Sequence, residues 1–295
     1  MPSPGPAIIA GACGYGRWPP NSLAGAVRSL AAGADGVEID VHLTADGHVV
    51  LHHDYRLDCA HTRLHGVWID EPGAPLRDRT LEDLRRYDLG SARPGSPGFE
   101  RHPDRARMDG VHIVTLPELL DSLRASPRRA QLYVEIKTSP QSPPDSSDPL
   151  ALTQAVINQL QAADYLDYAR IIAFDWRVLR HAYALQPRLA TAHLTIPEIM
   201  QHEVVRDPKG DSPWADGCDP RHFGGSALHA IKAHGGSCWS CYFAEMTADL
   251  VQQAAGLGLS AAVWGVDRSE DVRAASDMGV DSITVSDPEI LAAKQ

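Results

Sequence analysis

The sequence predicts an α/β fold, a (β/α)8 barrel. Short β-rich runs alternate with amphipathic helical patterns along the 295 residues. Several runs, such as "AIIA", "RIIAF" and "AAVW", are continuously apolar, as parallel strands buried on both faces are. The alternation also lasts for the roughly 250 residues that such a barrel needs.

Strands are expected at Ala7–Ala10, Gly36–Leu43, His48–His53, Gln131–Lys137, Arg170–Phe174, Leu189–Leu194, Ser237–Tyr242, Ser260–Val266 and Ser282–Ser286. Between them "NSLAGAVRSLAAG", "LPELLDSLRAS", "DWRVLRHAYAL", "TADLVQQAAGLG" and "SEDVRAASDMG" carry helical periodicity. Asn21, Asp175, Thr247 and Ser269 read as N-caps, and Gly33, Gly258 and Gly279 as helix stops. Nine strands exceed eight barrel places. The surplus resolves at Ala45–Gly47, which leaves room only for a tight turn. Parallel strands need a crossover of about a dozen residues, so this pair must be an antiparallel hairpin. The Pro/Gly/Arg-rich stretch 91–110 is too long for a plain connection. It reads as a functional loop over the barrel mouth or as a disordered insertion. No composition shift divides the chain, so one domain over residues 1–295 is expected.

A net charge of −11 argues against nucleic acid or an anionic membrane as partner. It leaves room for an anionic small molecule, because a metal ion can reverse the local field. Five dispersed cysteines suit a reducing compartment, and the lone Cys238–Cys241 CxxC lacks the second pair of a zinc site. With no basic n-region and no apolar run of membrane-spanning length, a soluble cytoplasmic protein is expected.

The chemistry concentrates in "GVEIDVHLTADGHVVLHHD". Strand side chains repeat every two residues, so Glu38 and Asp40 share a face. Folding the hairpin brings His53 back beside one of them. Glu135, two residues from Lys137 in "QLYVEIKTSP", ends another strand. Strand ends converge at one barrel mouth. Three carboxylates there form a hard-oxygen set for Mg²⁺ or Ca²⁺. An ion and a lysine beside a histidine read as phosphate chemistry. The same spacing equally fits a structural Glu135–Lys137 ion pair with His53 as a core histidine.

As a whole the pattern resembles the glycerophosphodiester phosphodiesterases. "GADGVEIDVHLTADGHVVLHHDYRLD", "TLEDLRRYDLGS", "DGVHIVTLPELL", "VEIKTSP", "IIAFDWRVL" and "AAVWGVDRSEDVRAASDMGVDSITVSDPEIL" follow that family's blocks in order, nearly end to end. The resemblance implies a TIM barrel and metal-dependent hydrolysis of glycerophosphodiesters to glycerol 3-phosphate and an alcohol. It makes Glu38, Asp40 and Glu135 the metal ligands, His53 an acid/base histidine and Lys137 a phosphate binder. Trp264 becomes an aromatic wall of the pocket, or else barrel core.

One block departs. Where the family carries HRG and then PENT, this chain reads "AGACGYGRWPPNSL". Gly11 stands in place of the first histidine, Ala12 of the phosphate arginine, Cys13 of the glycine and Pro20 of the glutamate. Substitutes near in sequence are His42, His52, His61, Tyr15 and, for the arginine, Arg17; His42 is the poorest, being aimed at the hairpin tip. Cys13, at a strand end, is a candidate nucleophile or a packing thiol. The readings left open are a hydrolase with altered or impaired chemistry, a cyclising lyase-type variant, and a degenerate barrel that binds metal and phosphodiester without turnover.

Overall fold

Parallel pairing closes the chain on itself. The computed structural model describes residues 5–196 and 211–290; the rest of the expected 1–295 unit lies outside the described residues. The eight barrel strands are β1 (Ala7–Ala10), β2 (Gly36–Leu43), β3 (Gln131–Ile136), β4 (Ala169–Ala173), β5 (Ala190–Thr195), β6 (Cys238–Tyr242), β7 (Ser260–Val266) and β8 (Ser282–Val285). Each pairs in parallel with the next, and β8 returns to β1. Helices Leu23–Ala31, Leu116–Arg124, Pro149–Ala162, Trp176–Leu185, Ala227–Ala233, Ala248–Gly256 and Ser269–Met278 fill the crossovers. This is the TIM-barrel arrangement that the alternation predicted.

Two apolar layers hold the ring. Inside it pack Ile9, Tyr133, Ile172, Leu194 and Ala262. Between ring and helices lies a larger layer including Val37, Ile39, Leu119, Leu132, Val156, Leu179 and Ile283. Asp175 and Thr247 cap their helices as expected, accepting from the backbone N–H groups of Arg177 and Leu250. The first helix is capped by Ser22 instead of Asn21. At the last helix, Ser269 is already helical and Arg268 holds the cap position.

The hairpin forms because β2 outruns β1. Residues 36–37 of β2 pair with β1, and residues 41–43 pair antiparallel with Val49–Leu51. The returning strand is shorter than expected, since the chain leaves the ladder after Leu51. A two-residue strand, Val114–Thr115, pairs with it on the other side; it is too short to leave a periodic signal. The stretch 91–110 is ordered and contains a short helix, Pro97–Arg101, capped by Ser96. Backbone bonds from Arg93 to Ala60, Ala106 to Arg17 and Met108 to Gly90 tie it down. A third apolar cluster, with Leu57, Leu76, Leu84 and Ile113, supports the region between hairpin and loop. Among the described residues no helix is long and apolar enough to cross a membrane.

Gly36 pairs with Gln131 where β2 and β3 begin, and an added Cβ would strike the Gln131 carbonyl oxygen. Gly36→Ala is therefore expected to cost about 1–3 kcal/mol through forced backbone movement, read as a lower urea midpoint with an unchanged slope.

Candidate active site

A cavity of about 750 Å³ opens at the C-terminal ends of the strands. Register builds its acidic floor. Asp40 on β2 lies directly beside Glu135 on β3, and Glu38 sits two residues lower on the same face. One carboxylate oxygen from each lies within 4.8 Å of the others. Ala12 N–H donates to Glu38 Oε2 at 2.7 Å. The Asn21 amide donates to Asp40 Oδ2 at 2.9 Å, and its carbonyl accepts from the Asp40 N–H. The Lys137 ammonium donates to Glu135 Oε1 at 2.9 Å and stands 3.6 Å from Asp40 Oδ1.

Burial and crowding set the charges. Burial raises the Glu38 pKa well above the carboxylate range, and the charges of Asp40 and Glu135 push it further. Burial likewise raises Glu135, against the pull of Lys137. For Asp40, burial is outweighed by His53, Lys137 and the Asn21 bond, and its pKa falls. Lys137 also resists burial: Glu135 and Asp40 hold it firmly protonated. A trio of this kind suits a divalent cation, which would favour all three ionised forms at once.

His53 lines the cavity, with Nδ1 2.7 Å from Asp54 Oδ1. Lys137 and burial push its pKa down, but Asp40 and Asp54 outweigh them and leave it above the usual imidazole value. His52, just past the last ladder pair, still donates its N–H to the Asp40 carbonyl. His53 follows one residue later, where the chain has left the strand and can turn its ring toward the mouth. His52 is buried, with Nε2 3.2 Å from the Arg56 carbonyl and a lowered pKa caused by burial. His42 lies beneath, Nε2 3.4 Å from the His53 carbonyl, and burial pushes its pKa down to about 3. Trp264 faces the cavity between Phe174 and Tyr242, in edge contacts with both.

Two expectations need correction. Arg17 does not reach into the mouth: its Nε pairs with Glu289 at 3.1 Å on the outside. Cys13 does not face the mouth: it is fully buried, and burial with the charges of Glu38 and Asp40 drives its thiol pKa well up. A buried neutral thiol is no nucleophile. Its backbone does match the missing glycine, since Ala12 and Cys13 have φ of 41° and 64°. A Cβ at Gly11 would lie 3.1 Å from Thr284 Cγ2 and 3.6 Å from the Tyr15 ring, so the Thr284 methyl must give by a few tenths of an ångström before any side chain fits there. Sequence reasoning missed Arg101, Arg105 and Asp58, which also line the cavity.

Carboxylates, a buried lysine and a histidine–aspartate pair at the C-terminal mouth of a closed parallel barrel define the class as a TIM-barrel enzyme. The profile of the Glycerophosphoryl diester phosphodiesterase family matches residues 14–290, and the chain belongs to that family. A glycerophosphodiester phosphodiesterase of Caldanaerobacter subterraneus subsp. tengcongensis is 27% identical over 92% of this chain and 90% of its own. The crystal structure of a putative glycerophosphoryl diester phosphodiesterase from Silicibacter pomeroyi is similar with a TM-score of 0.82 and 28% identity, over 98% of this chain and 92% of that one. An Oleispira antarctica phosphodiesterase in complex with the product sn-glycerol-3-phosphate shares the fold at a TM-score of 0.70 and 19% identity, over 98% and 96% of the two chains.

Raised folded-state pKa values for Glu38 and Glu135 make the metal-free protein lose stability as pH rises above the ordinary Glu value of about 4.3. Removing Lys137 would steepen that loss. Lys137→Met is expected to cost roughly 3–5 kcal/mol near neutral and alkaline pH and distinctly less at about pH 5, where the acids can protonate. Urea titrations of variant and wild type in EDTA at the two pH values read the difference.

Proposed function

We propose that the chain hydrolyses glycerophosphodiesters to glycerol 3-phosphate and an alcohol in a divalent-metal-dependent reaction. The observation that carries this reading is the meeting of Glu38, Asp40 and Glu135 beside Lys137 and the His53–Asp54 pair in one cavity. The donor set is all carboxylate oxygen, which fits Mg²⁺ or Ca²⁺ better than zinc. Glu38, Asp40 and Glu135 would hold the ion, which when bound supplies positive charge to phosphoryl oxygens.

The chain's own groups do the rest. Lys137 offers a fixed ammonium to the phosphoryl group. Asp54 occupies Nδ1 of His53 and so leaves Nε2 as the atom that exchanges a proton with the reacting oxygens. As the phosphorus–oxygen bond to the alcohol breaks, a protonated His53 would give its proton to the departing alkoxide; water would supply the new oxygen on phosphorus and release a proton to solvent, from which His53 is protonated again. Trp264, Tyr242 and Phe174 give an apolar wall against which the organic part of a substrate can lie. The five cysteines are all free, which supports a reducing, cytoplasmic setting.

A second reading rests on Gly11 and Ala12, which line the cavity without the histidine and arginine of the family pattern. It is a barrel that binds the ligand without turnover. Incubation with glycerophosphocholine and Mg²⁺ or Ca²⁺ separates the two. Release of glycerol 3-phosphate, abolished by EDTA and lowered about 10²–10⁴-fold in His53→Ala, is expected. Glycerol 3-phosphate binding with no release under either ion would leave only the binder.

A further inference from the structure

We propose that Arg105, carried in by the 91–110 loop, is the phosphoryl-binding arginine that Ala12 no longer supplies. The inference rests on the phosphodiester reading above and adds a residue to it.

Four observations converge on Arg105. It lines the same cavity as the three acids and Lys137, although it arises far away in sequence. Its Nε is buried and, among the described residues, has no hydrogen-bond partner. Among the described residues no carboxylate forms an ion pair with it; its one side-chain bond runs from Nη1 to Nε2 of His61, at 3.2 Å. In a chain of net charge −11, a cavity arginine without an acid has donors to offer an anion. Burial lowers its pKa, and Tyr15 and Asp58 only partly offset that.

The surroundings hold it in place. His61 Nδ1 lies 3.0 Å from Asp58 Oδ1, so Asp58 sets the tautomer that leaves Nε2 free to accept from Arg105. The His61 ring packs against Gly98 of the same loop, and Ala106 is tied by its N–H to Arg17. Tyr15 links the two halves. Its ring lies against Gly11 and meets His102 of the loop edge-on at 5.2 Å. On the first-strand side Tyr15 lies against Gly11, and the cation comes from the rim. A guanidinium can hold two phosphoryl oxygens at once, which the ammonium of Lys137 cannot.

Calorimetric titration with sn-glycerol 3-phosphate in Mg²⁺, alongside KM for glycerophosphocholine, tests this. Arg105→Ala is expected to weaken binding and raise KM about ten- to a hundredfold. Arg107→Ala changes neither by more than about twofold, because Arg107 sits on the same loop but stacks on Phe99. Should Arg105→Ala not fold, Arg105→Lys keeps the stem and charge and should still weaken binding several-fold. A folded Arg105 variant that binds as wild type does overturns the inference while leaving the proposed activity standing. Wild type that neither binds nor turns over removes both. Binding without turnover that is weakened in Arg105→Ala keeps Arg105 and removes only the hydrolysis.

Discussion

Three carboxylates forced together in a buried floor are the constraint on which this site depends. Left alone, Glu38, Asp40 and Glu135 repel one another in surroundings that screen them poorly. The described residues offer two kinds of relief. Lys137 lies against Glu135 and near Asp40, and N–H donors from Ala12 and the Asn21 amide point at Glu38 and Asp40. Neither is enough, because the pKa values of Glu38 and Glu135 remain raised. The arrangement is thus short of positive charge, and the missing charge is what a bound cation would bring. That shortage distinguishes the cluster from an ordinary salt-bridged network, in which each acid finds its own base.

The fold delivers this floor through strand length. β2 and β3 pair in register from Gly36 and Gln131 up to Val41 and Ile136, so Asp40 and Glu135 end at one height. β1 stops at Ala10, while β2 runs on to Leu43. The free edge of β2 then takes up Val49–Leu51, and His53 emerges at the end of that short strand. A longer β1 would have covered this edge and left no place for the hairpin. The difference in length between neighbouring strands therefore returns a histidine to the strand end that carries two acids, through a tight hairpin and not through a helix.

Periodicity displayed the barrel well, because the strands and helices are long enough to show a pattern and the caps are local. Glu38, Asp40, Glu135, Lys137 and His53 could be grouped from spacing and strand-end convergence alone, and the structure does bring them together. The failures share a physical cause. A position just before a helix predicts a cap at Asn21, yet its φ of 54° turns it back to Asp40 and leaves Ser22 to cap. Arg17 was placed by proximity in sequence, which does not fix the direction of a long side chain. Arg105 and Asp58 reach the cavity from irregular chain, and Arg101 from a helix of only five residues, too short to show a period. For the two arginines the available signal is basic residues in a loop too long for a connection; Asp58 lies outside that loop.

The altered first-strand block shows which part of the loop's work depended on side chains. Gly11–Cys13 remains a tight 3-10 turn, with Ala12 and Cys13 held at positive φ although neither is glycine. Left-handed backbone costs about 1–2 kcal/mol per non-glycine residue. A drifting sequence would be expected to relax it unless something holds the turn. The Ala12 N–H supplies the reason, because it donates to the buried Glu38 carboxylate at 2.7 Å. A hydrogen bond contributes about 0.5–1.5 kcal/mol, and more where the carboxylate is ionised, which offsets part of the strain. Backbone geometry at this turn therefore serves the acidic floor whatever side chains it bears. The side chains at positions 11 and 12 can therefore differ without disturbing the carboxylates, because the contact to Glu38 is made by the backbone.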